Sequence, residues 1–473
     1  MHPNQPQIKE VAIDLSLHPR QRRAFFSDAT EQLYGGAAGG GKSHLMRAAA
    51  IIWATAIPGL QVYLFRRTYP ELLDNHINGS GAFPQMLADW IEAKLCNLNL
   101  SKLEIEFTFN GSKIHLCHCQ NEKDVYKYQG AEIHVLMVDE LTHFSAFQYK
   151  FLRGRCRVGG LPIPEDYSGQ FPRILCGSNP GGIGHNWVKA SFIDNAPEGE
   201  IRQMPDEEGG MRRQFIQAKL ADNPTLTEND PNYASRLKGL GDPALVKAML
   251  SGDWNIVSGG MFDDVFSVEK HVIEPFEIPD TWYVDRSFDW GSSKPFSVCW
   301  WAESDGTTAP NGKTYPPGTL FQIAEWYGWN GQPNEGCKML AAEIAAGINE
   351  REAEMGIEVA AGPADSAIFD SENGNCIAED MADQGVYWTH ADKSPGSRKA
   401  GWEKMRKRFK AAHSFPMEDA GLFFFNNCLN SIRTIPVLPR DDKKTDDVDT
   451  DAEDHAGDAV RYRVHTPNVG HAF

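Results

Sequence analysis

The sequence predicts an α/β protein with two domains, each built around its own sheet. Five short apolar stretches recur in the first half of the chain, and longer stretches of helical periodicity separate several of them, which favours a mostly parallel sheet. A Gly- and Ser-containing stretch, 252–261, then interrupts the pattern, and beyond it three new strand-like stretches precede a helical one. The 473 residues are enough for more than one such domain.

The composition is that of an acidic globular protein. Lys and Arg total 46 against 64 Asp and Glu, a net charge of −18, which excludes a histone-like coat and restricts any contact with DNA to local patches. The most apolar stretch, 45–57, is shorter than the roughly 20 residues of a membrane helix. The N-terminus lacks a signal-peptide layout, and the nine scattered cysteines include no C-x-x-C. An intracellular protein with reduced thiols and no membrane partner is therefore predicted.

In the first half, the predicted strands are 32–34, 61–65, 113–119, 134–138 and 173–176, and the helical patterns include 43–54 and 82–95. The strand 113–119 contains Cys117, His118 and Cys119, which could be read as metal ligands. Alternation along a strand puts the two thiols on one face and the imidazole on the other. A buried structural strand is therefore the favoured interpretation.

A phosphate-binding loop follows the first predicted strand. Residues 36–43 read Gly-Ala-Ala-Gly-Gly-Gly-Lys-Ser and match G-x-x-x-x-G-K-[ST]. In this motif the backbone N–H groups of a loop containing Gly36, Gly39 and Gly41 surround phosphate oxygens, Lys42 reaches the terminal phosphates and Ser43 binds Mg²⁺. The alternative is a glycine-rich helix entry without a ligand. The flanking strand and helix favour the nucleotide site.

Two carboxylates end the apolar strand 135–138. Asp139 would hold Mg²⁺ through Ser43 or water, and Glu140 would orient and deprotonate the attacking water. A GTPase-type switch or a kinase does not need the second acid at this place. The alternative to a catalytic role is that the two carboxylates simply mark a solvated strand end. The sequence thus predicts a P-loop NTPase domain of the ASCE type, with ATP and Mg²⁺ as cofactors.

Two further segments are candidates for the same site. Ser178 or Asn179 could sense the terminal phosphate, although an Asn-Pro-Gly turn needed only for chain reversal explains the segment equally well. Arg153, Arg155 and Arg157 lie close together and would suit a finger on a neighbour's phosphate or a DNA backbone contact. A solvated basic loop is the alternative.

Several of these motifs, in this order, resemble the large terminase subunit of tailed bacteriophages. The matching segments are 35–43, 128–132 leading into 139–144, 178–182 with 184–187, 222–224 and 252–254. The resemblance extends over nearly the whole chain. It implies an ATPase that drives double-stranded DNA through the portal of a procapsid and a nuclease that cuts the concatemer.

The resemblance also implies partners and roles. The partners are double-stranded DNA, the portal protein, the small terminase subunit and further copies of the chain in a ring on the portal. Apart from the resemblance, the C-terminal tail 466–473 is a candidate portal contact. The implied location is the cytoplasm of the infected bacterial host, transiently at the portal and not in the mature virion. Gln21 resembles the adenine-reading glutamine, and Arg157, within 153–157, is the candidate trans-acting arginine.

The second half predicts strands at 283–289, 297–301 and 320–326, a helix at 335–346, a strand at 358–361, a basic helix and a last helix at 454–464. This order is compatible with a ribonuclease-H-like fold. The predicted boundaries are 1–255 for the ATPase domain, 256–264 for a linker, 265–465 for the nuclease domain and 466–473 for a tail.

Cleavage by two metal ions needs carboxylates that converge from separate elements. Asp289, Asp365 and Asp458 stand in an order that resembles the terminase nuclease triad, and they are the predicted ligands for Mg²⁺, with Mn²⁺ able to substitute. Asp454 lies one helical turn before Asp458 and could assist, and Glu325 is a further candidate ligand.

Two charged segments accompany this site. The basic stretch 398–410 could bind DNA phosphates or be an ordinary exposed helix, and the acidic stretch 441–451 is interpreted as a solvated or mobile loop. Two rival functions remain open. They are a helicase-like translocase whose second domain does not cleave and an assembly factor that uses ATP as a switch.

Overall fold

The computed structural model describes residues 13–194, 196–239, 246, 250–254, 260–371, 376–441 and 443–466. It divides into two compact units, one of residues 1–180 with 188–255 and one of residues 181–187 with 256–473. Residues 256–259 of the predicted linker and 467–473 of the predicted tail lie outside the described residues.

The first unit contains one mixed, mostly parallel sheet. Its strands within the described residues are β1 (Glu31–Gly36), β2 (Gln61–Arg66), β3 (Cys96–Asn99), β4 (Glu104–Phe107), β5 (Lys113–His118), β6 (Val135–Asp139), β7 (Arg173–Ser178), β8 (Ile201–Gln203) and β9 (Arg212–Ala218). Their order is β3-β4-β5-β2-β6-β7-β1-β9-β8, and the six strands from β5 to β9 in this order run parallel. The strand β7 therefore separates β1 from β6, so the segments that follow these three strands leave the same edge of the sheet side by side.

The helices from Pro19 to Lys238 are α1 (Pro19–Phe25), α2 (Lys42–Ala56), α3 (Tyr69–His76), α4 (Phe83–Met86), α5 (Ala88–Glu92), α6 (Ala146–Arg153), α7 (His185–Val188), α8 (Pro224–Asn229) and α9 (Tyr233–Lys238). The helix α2 begins directly after the left-handed Gly41 and buries Leu45, Ile51 and Trp53. A capping box of Thr68 and Glu71 begins α3. The N-terminal ends of α2 and α3 are thus both defined by local structure, and α2 begins beside the edge of the sheet where β1 and β6 end.

The second unit also has a mixed sheet. Its strands within the described residues are β10 (Val272–Ile273), β11 (Tyr283–Asp289), β12 (Ser297–Glu303), β13 (Leu320–Tyr327), β14 (Pro363–Ala364), β15 (Thr389–His390) and β16 (Leu422–Phe425). The order is β10-β16-β13-β12-β11-β14-β15, in which β11, β12 and β13 are antiparallel neighbours and the outer pairs are parallel. Both sheets confirm the predicted α/β class.

The helices of the second unit are α10 (Val268–His271), α11 (Ala341–Met355), α12 (Ile377–Ala382), α13 (Ser397–Ala411), α14 (Leu429–Thr434) and α15 (His455–His465). The last helix, α15, packs on β11 and β12 and against α13. An apolar core that includes Trp300, Trp301, Trp402 and Phe424 lies around this sheet. Within the described residues, none of the helices of either unit is long and apolar enough to cross a bilayer.

Three predicted elements were wrong in their extent. The helix predicted at 82–95 is two short helices, because Leu87 (φ −102°, ψ 7°) is not helical. The helix predicted at 335–346 begins only at Ala341, because Asn334 and Lys338 have φ of 62° and 61°. The strand predicted at 358–361 is displaced to β14, next to Gly362, where a Cβ atom would lie 2.0 Å from the Arg286 carbonyl oxygen.

Candidate functional site

The loop 36–43 connects β1 to α2 and has the backbone that its glycines allow. Gly39 and Gly41 have φ of 74° and 77°, in the left-handed region. The side chain of Gln21 is buried against this loop and donates from Nε2 to the Gly41 carbonyl oxygen at 2.9 Å. Asn223 Nδ2 donates to the Gly39 carbonyl oxygen at 2.7 Å. Two distant amide side chains thus hold the loop from outside.

Lys42 is directed toward the end of β7. Its Nζ donates to Asn179 Oδ1 at 2.6 Å and to the Ala37 carbonyl oxygen at 3.3 Å. The neighbouring Ser178 instead contacts Thr142, at 3.1 Å from Oγ to the Thr142 N and 2.9 Å to its hydroxyl. Of the two candidate phosphate sensors, Asn179 is therefore the one whose side chain meets Lys42.

Asp139 ends β6 with a fully buried carboxylate. Arg66 Nε lies 3.0 Å and His76 Nε2 3.1 Å from its Oδ2 atom, and Ser43 Oγ lies 3.5 Å from the same oxygen. Burial alone would raise the pKa of Asp139, but the hydrogen bond from His76 and the charge of Arg66 outweigh it and hold that pKa below its ordinary value. Asp139 is therefore an anion at neutral pH.

The second oxygen of Asp139 supports a cation site. Within the described residues, Oδ1 is buried and has no hydrogen-bond partner, an arrangement that costs free energy unless a ligand completes it. Ser43 Oγ lies near the other oxygen of the same carboxylate, Oδ2, at 3.5 Å. A carboxylate oxygen and a hydroxyl beside a phosphate loop are suitable donors for Mg²⁺, so these residues fit the ion that the motifs predict.

Glu140 follows in a strained backbone. Its φ of 57° and ψ of 63° lie in the left-handed region, which is uncommon for a residue with a side chain. Its Oε2 accepts a hydrogen bond from the Asn179 backbone N–H at 3.3 Å. Because of this left-handed turn, the Glu140 side chain does not follow that of Asp139 into the core. The Glu140 carboxylate lies instead at the end of β7, beside Asn179.

The three arginines at the end of α6 and just beyond it have different surroundings. Arg153 forms an ion pair with the fully buried Glu31 at 3.3 Å, and Arg155 lies over the Phe151 ring and donates to the Gln129 carbonyl oxygen at 3.1 Å. Arg157 has an exposed position. It is therefore the arginine best placed to reach another molecule.

The second set of predicted residues meets at one end of the second sheet. Asp289 ends β11, and Asp365 follows β14, which pairs with β11 through Phe288 and Ala364. The backbone N–H of Asp365 donates to the Phe288 carbonyl oxygen at 2.9 Å. Asp289 and Asp365 thus leave adjacent strand ends.

The third predicted aspartate comes from α15. Tyr462, one turn beyond Asp458 on this helix, places its hydroxyl 3.3 Å from Asp289 Oδ1, and His455 Nδ1 lies 3.3 Å from Asp289 Oδ2. Asp458 accepts from Arg461 Nε at 3.0 Å and Arg398 Nη1 at 3.0 Å. The helix thus brings Asp458 and His455 to the Asp289 strand end.

The carboxylates of this site influence one another's ionisation. Burial, together with the charges of Asp458 and Asp365, raises the pKa of Asp289 to about 6. Burial and the charge of Asp458 raise the pKa of Asp454 to about 7. Burial would also raise the pKa of Asp458, but Arg461 and Arg398 lower it below its ordinary value. Mutual repulsion of this kind is typical of carboxylates that attract cations.

Basic side chains neutralise part of this charge. Lys393 forms an ion pair with Asp365, and Arg398 contacts Asp447, Asp454 and Asp458 at 2.8, 2.9 and 3.0 Å. No group of three His, Cys, Asp or Glu side chains in the described part of the chain has the arrangement of a metal site. The oxygen-rich donor set fits Mg²⁺ or Mn²⁺ in kind, but these ion pairs would have to open before three carboxylates shared an ion.

Two other predicted roles find different surroundings. Glu325 accepts from the backbone N–H groups of Asn430 and Ser431, the latter at 2.9 Å, and so caps α14. The acidic stretch 441–451 was predicted to be a solvated or mobile loop, and this prediction was wrong for Asp447. The Oδ1 atom of Asp447 accepts hydrogen bonds from Arg398 and from Trp402 Nε1, the latter at 3.0 Å, because α13 passes beside it.

The basic stretch 398–410 forms α13, but its arginines face the protein. Arg406 is paired with Asp264 at 2.6 Å, and Arg408 donates to the Gly318 carbonyl oxygen at 2.7 Å. The exposed cations are lysines, namely Lys399, Lys404, Lys407 and Lys410.

In the first unit, Cys117 and Cys119 are buried in and beside β5, in agreement with the interpretation of 113–119 as a buried structural strand.

Sequence reasoning missed the residues that contact Asp139 from β2 and α3. Arg66 ends β2, beside β6, so its position at the same sheet edge could have been inferred from strand adjacency. His76 ends α3 and belongs to no recognisable motif. Its contact with Asp139 depends on tertiary packing across 63 residues.

Comparisons with known proteins bear on the first unit most directly. Residues 33–168 match the family model described as the terminase large subunit, T4likevirus-type, N-terminal. This match confirms the predicted resemblance to terminase large subunits over that segment. A search of curated proteins gave no match.

Solved structures of low sequence identity are also similar. The large terminase of a thermophilic bacteriophage in complex with ADP is 16% identical, with 95% of this chain and 99% of that chain covered and a TM-score of 0.40. The HK97 bacteriophage large terminase is 11% identical, with 95% of each chain covered and a TM-score of 0.43. The P22 large terminase nuclease domain is 17% identical over 43% of this chain and 90% of that one, with a TM-score of 0.32.

Proposed function

We propose that this chain is the large subunit of a viral DNA-packaging motor, which hydrolyses ATP to translocate double-stranded DNA and cleaves concatemeric DNA. The observation that carries the ATPase half is the meeting of Lys42, Asn179, Asp139 and Glu140 at three adjacent strand ends, together with the free oxygen of Asp139. The family match over residues 33–168 supports the same function.

In this proposal, each residue of the first unit has one role. The loop containing Gly36, Gly39 and Gly41 binds phosphate, and Lys42 exchanges Asn179 for the terminal phosphates. Glu140 orients the attacking water and accepts its proton. Bound Mg²⁺, held by Ser43 and Asp139, would neutralise the phosphate charge that develops during transfer. Gln21, which donates to the Gly41 carbonyl oxygen, would read the base, and Arg157 would act on a neighbouring copy.

The nuclease half rests on Asp289, Asp365 and Asp458. Their mutual electrostatic influence supports a common cation site once Lys393 and Arg398 are displaced. Mg²⁺ or Mn²⁺ would there activate water and stabilise the leaving oxygen. The exposed lysines of α13 would contact the phosphates of the DNA. The portal protein, the small terminase subunit and a ring of identical chains at the procapsid portal, in the cytoplasm of the infected bacterial host, complete the proposed setting.

The test uses the full chain with supercoiled plasmid and Mg²⁺ or Mn²⁺, and ATP turnover is measured on the same preparation. We expect both plasmid cleavage and ATP hydrolysis. Asp289→Asn should abolish cleavage and spare ATP turnover, whereas Lys42→Ala should do the reverse. Asp383→Asn, which changes an exposed carboxylate of the same unit, is the matched control and should change neither activity.

The outcomes separate this proposal from its rivals. ATP hydrolysis without cleavage under any metal condition would favour a helicase-like translocase whose second domain does not cleave. Nucleotide binding without turnover would favour an ATP switch. Cleavage by Asp289→Asn at the rate of the unaltered chain would reject the assigned carboxylates.

A further inference from the structure

His76 is a buried imidazole in contact with the carboxylate of Asp139. It ends α3, has no solvent exposure, and lies 3.1 Å through Nε2 from Asp139 Oδ2. Arg66 Nε reaches the same oxygen at 3.0 Å. Two donors from different elements, β2 and α3, therefore converge on one carboxylate oxygen, whereas Oδ1 has no partner within the described residues.

The other ring nitrogen fixes the direction of this hydrogen bond. Arg47 Nη1, from α2, lies 3.5 Å from His76 Nδ1 and donates to the Asn75 carbonyl oxygen at 3.1 Å. A guanidinium has only donors, so Nδ1 faces it as an acceptor and Nε2 carries the hydrogen that is donated to Asp139. Arg47, His76 and Asp139 thus form a directed chain from α2 to the end of β6.

The three donors that reach Asp139 all lie at one of its two oxygens, Oδ2. The donors from His76 and Arg66 both contact Oδ2 and so hold this oxygen in place. The oxygen that they leave unpaired belongs to the same side chain whose Oδ2 lies 3.5 Å from Ser43 Oγ. Outer-shell hydrogen bonds of this kind orient a metal ligand before the ion arrives, and the Ser43 hydroxyl near Oδ2 is what marks this carboxylate as such a ligand.

We infer that His76 is a positioning residue for Mg²⁺ in the nucleotide site, and that it acts by orienting Asp139. The inference rests on the proposed nucleotide function of this site. Loss of an outer-shell partner typically lowers metal affinity 10- to 100-fold, so the effect belongs to Mg²⁺ binding and not to the nucleotide itself.

The experiment measures ADP binding to the full chain by calorimetry, first in EDTA and then as a Mg²⁺ titration. His76→Leu removes both ring nitrogens at similar volume and should leave ADP affinity in EDTA unchanged while weakening Mg²⁺ affinity about 10-fold or more. His76→Gln offers an amide donor near the position of Nε2 and should restore Mg²⁺ affinity to within about threefold. His76→Asn has the same amide on a side chain one carbon shorter and should not restore it.

The matched control is His134→Leu. His134 is also buried and adjoins the same strand, but at the opposite end, where its Nδ1 accepts from the Gln61 backbone N–H at 3.0 Å. The His134→Leu variant should have a lower thermal unfolding midpoint and an unchanged affinity for Mg²⁺. If His76→Leu proves unfolded by near-ultraviolet circular dichroism, the Gln and Asn pair decides.

Equal Mg²⁺ affinity in the unaltered chain and in every folded His76 variant would overturn the inference. Equal losses in EDTA and in Mg²⁺, or a Gln variant that does not fold, would assign His76 to the core and overturn it as well. An unaltered chain that binds ADP with Mg²⁺ but never hydrolyses ATP would reject the proposed ATPase, and the His76 comparison would still stand on binding alone.

Discussion

The Nζ atom of Lys42 lies 2.6 Å from Oδ1 of Asn179, so the phosphate-loop lysine is held by the residue that follows β7. The same Asn179 donates its backbone N–H to Glu140 at 3.3 Å. One residue therefore touches both the group predicted to bind phosphate and the group predicted to activate water. A change in how Lys42 is bound can reach Glu140 through Asn179.

Asn179→Asp should weaken ATP binding. A carboxylate in place of the amide would form an ion pair with Lys42 and compete with the phosphates for it, and it would also repel them. We expect a loss of about tenfold in affinity, which corresponds to about 1.4 kcal/mol, measured by titration with a fluorescent ATP analogue. Ser178→Ala is the control, because Ser178 contacts Thr142 and not Lys42. Unchanged affinity in Asn179→Asp would contradict the exchange of Lys42 between Asn179 and phosphate.

Glu140→Gln should bind ATP normally and lose turnover. The amide keeps the shape of the side chain but cannot accept a proton from water, and such a loss typically lowers the rate 10²- to 10⁴-fold. The rate is measured by phosphate release, with Lys42→Ala as a contrast that should lose binding as well. Hydrolysis at the original rate by the Gln variant would remove Glu140 from the catalytic role.

Arg157 and Arg153 should differ in what their removal changes. Arg157→Ala removes an exposed side chain and should reduce ATP turnover only at concentrations where copies associate, if it acts in trans. Arg153→Ala takes one partner from the buried Glu31, which keeps Arg213 at 2.8 Å. It should therefore cost about 1–3 kcal/mol of stability.

The two variants are compared by ATP turnover over a wide range of protein concentration and by thermal unfolding. A specific activity that is independent of concentration, and is the same in Arg157→Ala, would exclude a trans-acting role for Arg157.

The structural features that could be predicted from the sequence are those that a local pattern of apolar and polar residues determines. The ends of β6 and β11 could be placed to within one residue because each is an apolar stretch that stops at an aspartate, whereas β1 and β7 end two residues later than predicted. The start of α11 was missed because the helical pattern was begun directly after Asn334 and extended through Lys338, both of which are left-handed; Pro333-Asn334 is a turn signal, but Lys338 carries none. The strand β4 was also missed, because its alternating sequence Glu-Ile-Glu-Phe is only four residues long.

Contacts between distant charged side chains were the least predictable part of both candidate sites. Arg398 was predicted as one cation of a DNA-binding stretch, but it joins Asp447, Asp454 and Asp458 within the protein. Composition shows that such charges are present, but the register of α13 against α15 decides which of them meet. The same holds for His76, whose partner is 63 residues away.

The second unit should lose stability as pH rises when no metal is bound. The pKa of Asp289 is raised to about 6 and that of Asp454 to about 7 by burial and neighbouring carboxylates, from an ordinary value of 3.8. A group with a raised pKa in the folded state contributes stability that is fully present below its unfolded pKa and is lost as pH rises through its folded pKa. Asp289 and Asp454 also raise the pKa of His455, against the effect of burial. The stability that His455 contributes is therefore likewise lost as pH rises above 6.5.

Asp454→Asn should therefore stabilise the second unit in EDTA at pH 8. The variant removes a buried charge that is repelled by Asp458, while Arg398 keeps Asp447 and Asp458 as partners. A gain of about 2 kcal/mol would raise the unfolding midpoint of a domain of this size by roughly 4–8 °C. Near pH 4 the difference from the unaltered chain should largely vanish, because Asp454 is then protonated in the folded state and about half protonated in the unfolded one. The measurement is thermal unfolding at both pH values, with the exposed Asp383→Asn as control. A lower midpoint for Asp454→Asn at pH 8 would mean that the ion pair with Arg398 outweighs burial and repulsion, contrary to this account.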